Sequence, residues 1–277
     1  MRNLLILLWK YHFLLLFILL ETFAGYLLVR NNNFQKASFV NSANSVAAGV
    51  LNFVSGIKDY IHLKYKNESL ATENARLYSM LPDAFYGDTI GTVKLEKNVS
   101  RQQQYKYISA KVINNSTNKR NNYLTLNRGA VDGIKPEMGV ISGNGLVGIV
   151  KDVSEHYCTV ISLLHKDFHT SAKLSRSNYF GNLEWTGGDP TKANITDMPK
   201  HVKLAVGDTL LTSTYSAVFP EGVAIGTIYN FELKPGDNFY TITVNLSTDF
   251  QKIDYVYVVN NLLKEEQKKL EGNFKND

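Results

Sequence analysis

From about residue 88 the apolar residues of this chain recur with a period of two, and that alternation sets what it can fold into. Short runs rich in Val, Ile, Tyr and Thr stand between Gly, Asn and Asp turns, at 105–113, 123–126, 139–141, 146–153, 159–164, 170–174, 179–183, 209–211, 223–229, 240–244 and 255–259. Alternating side chains bury one face of a pleated strand, and many short strands at close spacing predict small barrels or sandwiches. The fold class expected is mainly β: two small β-barrel domains, preceded by a single transmembrane helix and a short coiled-coil helix. The first barrel is expected over 88–160 and the second over 161–260, with the final strand near 255–259 free to return to the first. The mixed-charge tail 261–277 is expected to be frayed or disordered.

Ahead of the β region the pattern differs twice. Residues 11–29 are mostly apolar, and about 20 such residues in a helix cross a hydrocarbon core of about 30 Å. Lys10 and Arg30 bracket the run, and Trp9, Tyr11 and Tyr26 suit a membrane interface. With Arg2 and Lys10 ahead of it, the positive-inside bias keeps residues 1–10 in the cytoplasm and exports the rest. A cleaved signal peptide fits less well, because apolar chain continues through Gly25-Tyr26-Leu27-Leu28-Val29 after the small-residue site at Thr22-Phe23-Ala24. Glu21 falls near the middle of the span. Either it meets another membrane protein, or the helix shifts to bring it toward one face.

From Val46 the apolar positions step by four and three through Val50, Phe53, Ile57 and Tyr60, within a helix expected over 42–81. Leu63, Leu70 and Leu77 then follow at strict sevens, with Asn67, Asn74 and Leu81 in the alternate seam. This is a heptad seam, and seam asparagines favour a defined register. The two series are three residues out of phase, which overwinds the supercoil locally. A parallel homodimer is expected, with Pro82 closing the helix.

The chain of 277 residues carries a net charge of +5 and no run of five like charges, so nucleic-acid binding is not expected. A single cysteine, Cys158, excludes a disulfide framework and thiolate metal clusters. No cofactor is expected. Gly143-Asn144-Gly145-Leu146-Val147-Gly148 matches a dinucleotide-binding glycine pattern, but a strand follows it where a helix is needed, so it reads as a hairpin. His165 and His169 are four apart, yet they flank a loop and have no evident third ligand. Ser55-Gly56-Ile57-Lys58 lies in the stalk without its usual companions, and no G-x-S-x-G elbow occurs. The segment Tyr215-Ser216-Ala217-Val218-Phe219-Pro220 could present an aromatic anchor, Tyr215 or Phe219, to a partner.

Two stretches look alike. Gly133-Ile134-Lys135-Pro136 and Val206-Gly207-Asp208 each turn into a strand, as two related β units would.

The order of parts resembles the rod shape-determining protein MreC family of bacteria. Asn127-Arg128-Gly129-Ala130-Val131-Asp132-Gly133-Ile134 is similar to its entry into the first β-domain. Gly139-Val140-Ile141-Ser142 with Gly145-Leu146-Val147-Gly148 resembles its hairpin. Val206-Gly207-Asp208-Thr209-Leu210-Leu211-Thr212-Ser213, followed by Phe219-Pro220-Glu221-Gly222-Val223-Ala224-Ile225-Gly226-Thr227, resembles its most specific stretch. Thr214-Tyr215-Ser216-Ala217 departs from the glycine-rich turn common there. The resemblance implies a non-enzymatic scaffold of cell elongation, single-pass in the cytoplasmic membrane with its bulk outside. It also implies association with MreD, the MreB filament system, and the elongation transpeptidase and glycosyltransferase of peptidoglycan synthesis. Two other classes compete: an anchored periplasmic adaptor of a secretion or efflux system, and a serine-type hydrolase on a barrel fold.

Overall fold

The computed structural model describes Trp9 and residues 11–31, 62–86, 102–177 and 179–273. The chain divides into two compact units, Met1–Lys66 and Asn67–Asp277. In the first, a helix runs His12–Asn31, where one was expected over 11–29. The Thr22 hydroxyl donates to the Ile18 and Leu19 carbonyls at 2.9 Å, which satisfies it within the helix. Among the described residues no helix is long and apolar enough to cross a membrane.

The second unit begins within a helix that spans 62–78. Its Ala71 and Ala75 are buried; their small side chains let the helix lie close against the β structure. The Ser79 hydroxyl accepts the Tyr107 N–H (3.1 Å), and Tyr78 packs its ring 5.1 Å from that of Tyr257. Leu70 and Leu77 face the other way and are exposed. A 3-10 turn, Pro82–Ala84, ends the segment, and a two-stranded ribbon pairs Phe85–Tyr86 (β1) with Gln102–Gln103 (β2).

Two closed antiparallel barrels follow. The first is built from Tyr105–Asn115 (β3), Asn121–Leu126 (β4), Gly139–Ile141 (β5), Leu146–Val153 (β6), Cys158–His165 (β7) and Tyr255–Asn261 (β14), in the order β14-β3-β4-β7-β6-β5. The second is built from His169–Leu174 (β8), Phe180–Glu184 (β9), Lys192–Pro199 (β10), Thr209–Thr212 (β11), Ala224–Glu232 (β12) and Phe239–Leu246 (β13), in the order β10-β13-β12-β11-β8-β9. The second barrel is thus inserted in sequence between β7 and β14 of the first. Closure pairs every strand on both sides and leaves no edge to aggregate.

The boundary expected at 160/161 falls inside β7, which is one strand paired to β4 and β6. The crossing lies instead at 166–168. Strand β10 is absent from the sequence reading because a bulge between Ile195 and Met198 puts Asp197 at φ 64° and breaks the alternation. The tail is also corrected: Lys264–Asn273 forms a helix. Lys264 Nζ donates to the Glu137 carbonyl at 2.5 Å, and Lys268 pairs with the Glu137 carboxylate. Those two cations, the Lys268 hydrogen bond foremost, hold the Glu137 carboxyl below its usual range.

The two barrels repeat one device. In the corner before β5, Asp132 accepts the Gly129 N–H (3.0 Å) and pairs with Arg128. In the corner before β11, Asp208 accepts the Ala205 N–H (2.8 Å) and pairs with Arg176. In each barrel a glycine then faces the incoming strand. Gly148 lies opposite Val140 and Gly226 opposite Leu210. A Cβ on Gly148 would stand 2.1 Å from the Ile161 carbonyl oxygen, and one on Gly226 2.1 Å from that of Asn245. The similarity of the two stretches in sequence thus has a structural basis. Gly148→Val or Gly226→Val is expected to cost about 1–3 kcal/mol by overpacking, read as a lower urea midpoint of the full chain.

Candidate functional site

The sequence motifs converge where the two barrels meet. The hairpin between β5 and β6 turns tightly because the Ser142 hydroxyl accepts the Asn144 and Gly145 N–H groups, both at 3.2 Å. Gly145 has φ 153°, and a Cβ there would lie 2.3 Å from the Ala224 carbonyl oxygen. Only a glycine lets the tip of the first barrel seat on the start of β12 in the second. Thr248 locks the same contact, its hydroxyl donating to the Leu146 carbonyl at 3.0 Å and lying 3.3 Å from the Ser142 hydroxyl. The Gly143–Gly148 pattern is therefore a hairpin followed by a strand, with no helix to receive a phosphate.

The loop between β11 and β12 makes the second contact. Thr212 Oγ donates to the Pro220 carbonyl (2.6 Å) and accepts the Val223 N–H (2.9 Å), so it ties the two ends of the loop together. Between those ends Phe219 is 1% exposed and its ring covers Gly139 of β5, where a Cβ would stand 2.7 Å away. Asn261 of β14 donates to the Ala217 carbonyl at 2.9 Å. The expectation that Phe219 is an exposed partner anchor is corrected: burial against the first barrel is its role. Tyr215, four residues earlier, is 73% exposed, with its ring 4.8 Å from that of Phe180.

The third contact is the chain crossing itself. His165 ends β7 with its side chain 3% exposed. Its Nδ1 accepts the Asp167 N–H at 3.0 Å, so the ring proton sits on Nε2 and faces the Tyr123 hydroxyl, also at 3.0 Å. Burial lowers its pKa, with Lys151 and Lys166 adding to the effect and Asp167 opposing it. On the same crossing, the buried Asn122 donates to the Leu164 and Lys119 carbonyls, each at 2.7 Å, and spans the bulge in β7.

The remaining sequence candidates are dispersed. Burial, and to a lesser extent Asp132, push the Cys158 thiol up to about 12, so the thiolate needed for nucleophilic chemistry does not form near neutral pH. Among the described residues no group of three His, Cys, Asp or Glu side chains is placed to hold a metal ion. A shallow open cleft of about 290 Å³ on the second barrel is lined by His169, Ser171, Phe180, Asn182 and Asp197. There the Ser171 hydroxyl takes its hydrogen bond from Ser213 (2.9 Å), not from an imidazole. Among the described hydrogen bonds, His169 and Asp197 make none to Ser171, so the arrangement a serine hydrolase needs is not assembled. Of the stalk residues, Leu63, Asn67, Leu70, Asn74 and Leu77 are helical and exposed, whereas Phe53, Ile57 and Tyr60 lie outside the described residues. Glu21 lies exposed on the N-terminal helix.

Two six-stranded barrels, the second inserted between β7 and β14 of the first and joined to it through two loops and the crossing at 166–168, define a double-barrel β module. The family description "Rod shape-determining protein MreC, barrel core" matches residues 112–260, so the chain belongs to the MreC family. The cell shape-determining protein MreC of Listeria monocytogenes is 26% identical over 226 residues, 73% of this chain and 76% of that protein. The Bacillus subtilis protein of the same name is 27% identical over 183 residues, covering 62% of this chain and 61% of that one. The solved Listeria monocytogenes MreC structure covers 83% of this chain and 95% of that one, with a TM-score of 0.53 at 22% identity. That of Pseudomonas aeruginosa MreC covers 55% and 98%, with a TM-score of 0.52 at 20% identity. Those two likenesses concern the fold.

Two measurements test this junction. Gly145→Val is expected to separate the barrels, seen as faster proteolysis and amide exchange at 166–168 while each barrel core stays protected. His165 has a folded pKa below the ordinary value of about 6.5. Its contribution to stability is therefore complete above that pH and lost as the pH falls through the lowered value. His165→Asn, whose Oδ1 stands in for Nδ1 as acceptor of the Asp167 N–H, is expected to flatten that acid-side loss in urea titrations.

Proposed function

We propose that this protein is a membrane-anchored, dimeric, non-enzymatic scaffold that maintains rod shape by organising peptidoglycan-synthesis enzymes. The observation that carries the reading is that the family's motifs are spent on joining two barrels rather than on assembling a reactive group. The Gly145 turn and Phe219 each fill contact between barrels. A joined pair of barrels with an exposed aromatic, Tyr215, suits the holding of other proteins in one arrangement. Family resemblance supplies the partners: the elongation transpeptidase and glycosyltransferase, MreD, and the MreB filament system.

The anchor rests on the sequence of the helix His12–Asn31, whose acidic and basic residues are Glu21 and Arg30. The span expected from the sequence over 11–29 includes Leu28 and Val29, whose side chains lie outside those described, and about 20 mostly apolar helical residues match a hydrocarbon core of about 30 Å. Its large apolar side chains, among them Phe13, Leu16, Phe17, Leu20 and Phe23, are exposed, a state that lipid favours and water does not. The cytoplasmic membrane, with residues 1–10 inside and the barrels outside, follows from the positive-inside bias. Glu21 is then a contact for a membrane partner such as MreD.

The dimer rests on the two faces of the helix over 62–78. Ala71 and Ala75 are taken up by the chain's own barrel, while Leu63, Leu70 and Leu77 remain exposed at heptad spacing. Leu70→Asp with Leu77→Asp is expected to halve the mass in sedimentation and to leave the barrels folded. An unchanged mass would contradict the dimer.

Depletion in the host tests the whole reading. Rods should become spheres, with new wall inserted without pattern. The intact protein should restore them, and a copy lacking residues 1–30 should not. Unchanged shape would contradict the scaffold and favour the adaptor of a secretion or efflux system.

A further inference from the structure

We propose that the loop 213–219 couples the partner-facing surface of the second barrel to the joint between the barrels, with Phe219 as a positioning residue for Tyr215. This rests on the reading of Tyr215 as a partner contact and goes beyond it, because it assigns that contact a mechanical consequence.

The loop is held alternately by the two barrels. At its start the Ser213 hydroxyl donates to Ser171 of β8 (2.9 Å) and accepts the Tyr215 N–H (3.3 Å), so this end belongs to the second barrel. Tyr215 then leans on Phe180 of β9, and both rings are exposed. Two residues on, the grip changes to the first barrel. Asn261 of β14, itself buried, donates to the Ala217 carbonyl, and the Val218 carbonyl and Phe219 ring lie over Gly139 of β5. Between the two grips the Ser216 hydroxyl accepts the Val218 and Phe219 N–H groups at 3.3 and 3.4 Å, which fixes the turn.

Three residues therefore separate an exposed aromatic, Tyr215, from a buried one, Phe219. If the barrels separate at Gly139, Phe219 leaves its seat and the turn that sets Tyr215 against Phe180 is lost. By linkage the reverse also holds: a partner that binds the Tyr215–Phe180 surface in this arrangement favours the closed joint. The surface and the joint are one two-state element, whose equilibrium both ends bias.

The test uses the full chain in nanodiscs and the soluble extracytoplasmic region of the elongation transpeptidase as the probe. Spin labels are placed at Tyr157→Cys on the first barrel and Tyr229→Cys on the second, both exposed positions, with Cys158→Ala in the background and unlabelled protein in excess. Tyr215→Ala is expected to weaken transpeptidase binding about tenfold and to leave the label distance narrow. Phe219→Leu and Asn261→Ala each keep Tyr215 in place in the sequence. Each is expected to broaden the distance distribution and to weaken binding several-fold, and added transpeptidase is expected to narrow the distribution again. Asn261→Ala removes two hydrogen bonds, one to the Ala217 carbonyl and one from the Leu263 N–H, and keeps the proposal testable should Phe219→Leu misfold. If Tyr215→Ala weakens binding while the joint variants broaden the distance and bind normally, the coupling is wrong and the contact reading stands. If Tyr215→Ala binds normally, the contact reading falls and the coupling with it.

Discussion

The first barrel cannot close without β14, which pairs with β3 along its length and with β5 on its other side. The chain must therefore leave the first barrel after β7, build the whole second barrel, and come back. That single requirement makes the chain cross between the barrels twice, at 166–168 and at 247–254. Short-range forces then finish the joint. Gly145 brings a hairpin tip onto a carbonyl, Phe219 covers Gly139, and His165 and Asn122 satisfy the polar backbone at the exit of β7. Each contact is small, yet all act on a geometry that the returning strand has already limited. Loop-closure entropy, the usual cost of a long-range pairing, is shared between the barrels because the inserted segment is itself folded.

The two barrels share a local device but differ in the connection that follows it. Both barrels use an Asp–Arg corner, a short strand and a glycine that admits the next strand. The hairpin after the first such strand is four residues long, 142–145, and tight; the corresponding connection in the second barrel is the longer loop 213–223. The short one can only press forward at its tip. The longer one reaches back across the interface and carries Phe219 with it. A shared local device followed by one short and one long connection thus accompanies the contacts between the two barrels.

Most of the barrel strands could be read from the sequence because their alternation is regular. Leu124 and Leu126 point inward on β4, as do Ala172 and Leu174 on β8. Strand β10 could not be read, since its bulge at Asp197 reverses the phase midway and Asn194 and Pro199 look like turn residues. The C-terminal helix was hidden for a different reason. Its sequence is polar apart from the exposed Leu270 and from Gly272, and it is attached to the Glu137 corner through Lys264 and Lys268. At the candidate site the motifs were visible but their purpose was not. Nothing in Tyr215-Ser216-Ala217-Val218-Phe219-Pro220 says which aromatic faces water; only the position of Gly139 decides that Phe219 is buried.

Calorimetry of the full chain tests directly whether the two barrels behave as one mechanical body. A barrel pair locked through β14, Gly145 and Phe219 unfolds in one cooperative transition, with calorimetric and van't Hoff enthalpies equal for residues 67–277 as a whole. Two resolved transitions, each with the enthalpy of a single barrel, would contradict it: the barrels would then be independent beads, and no surface on one could report on the other.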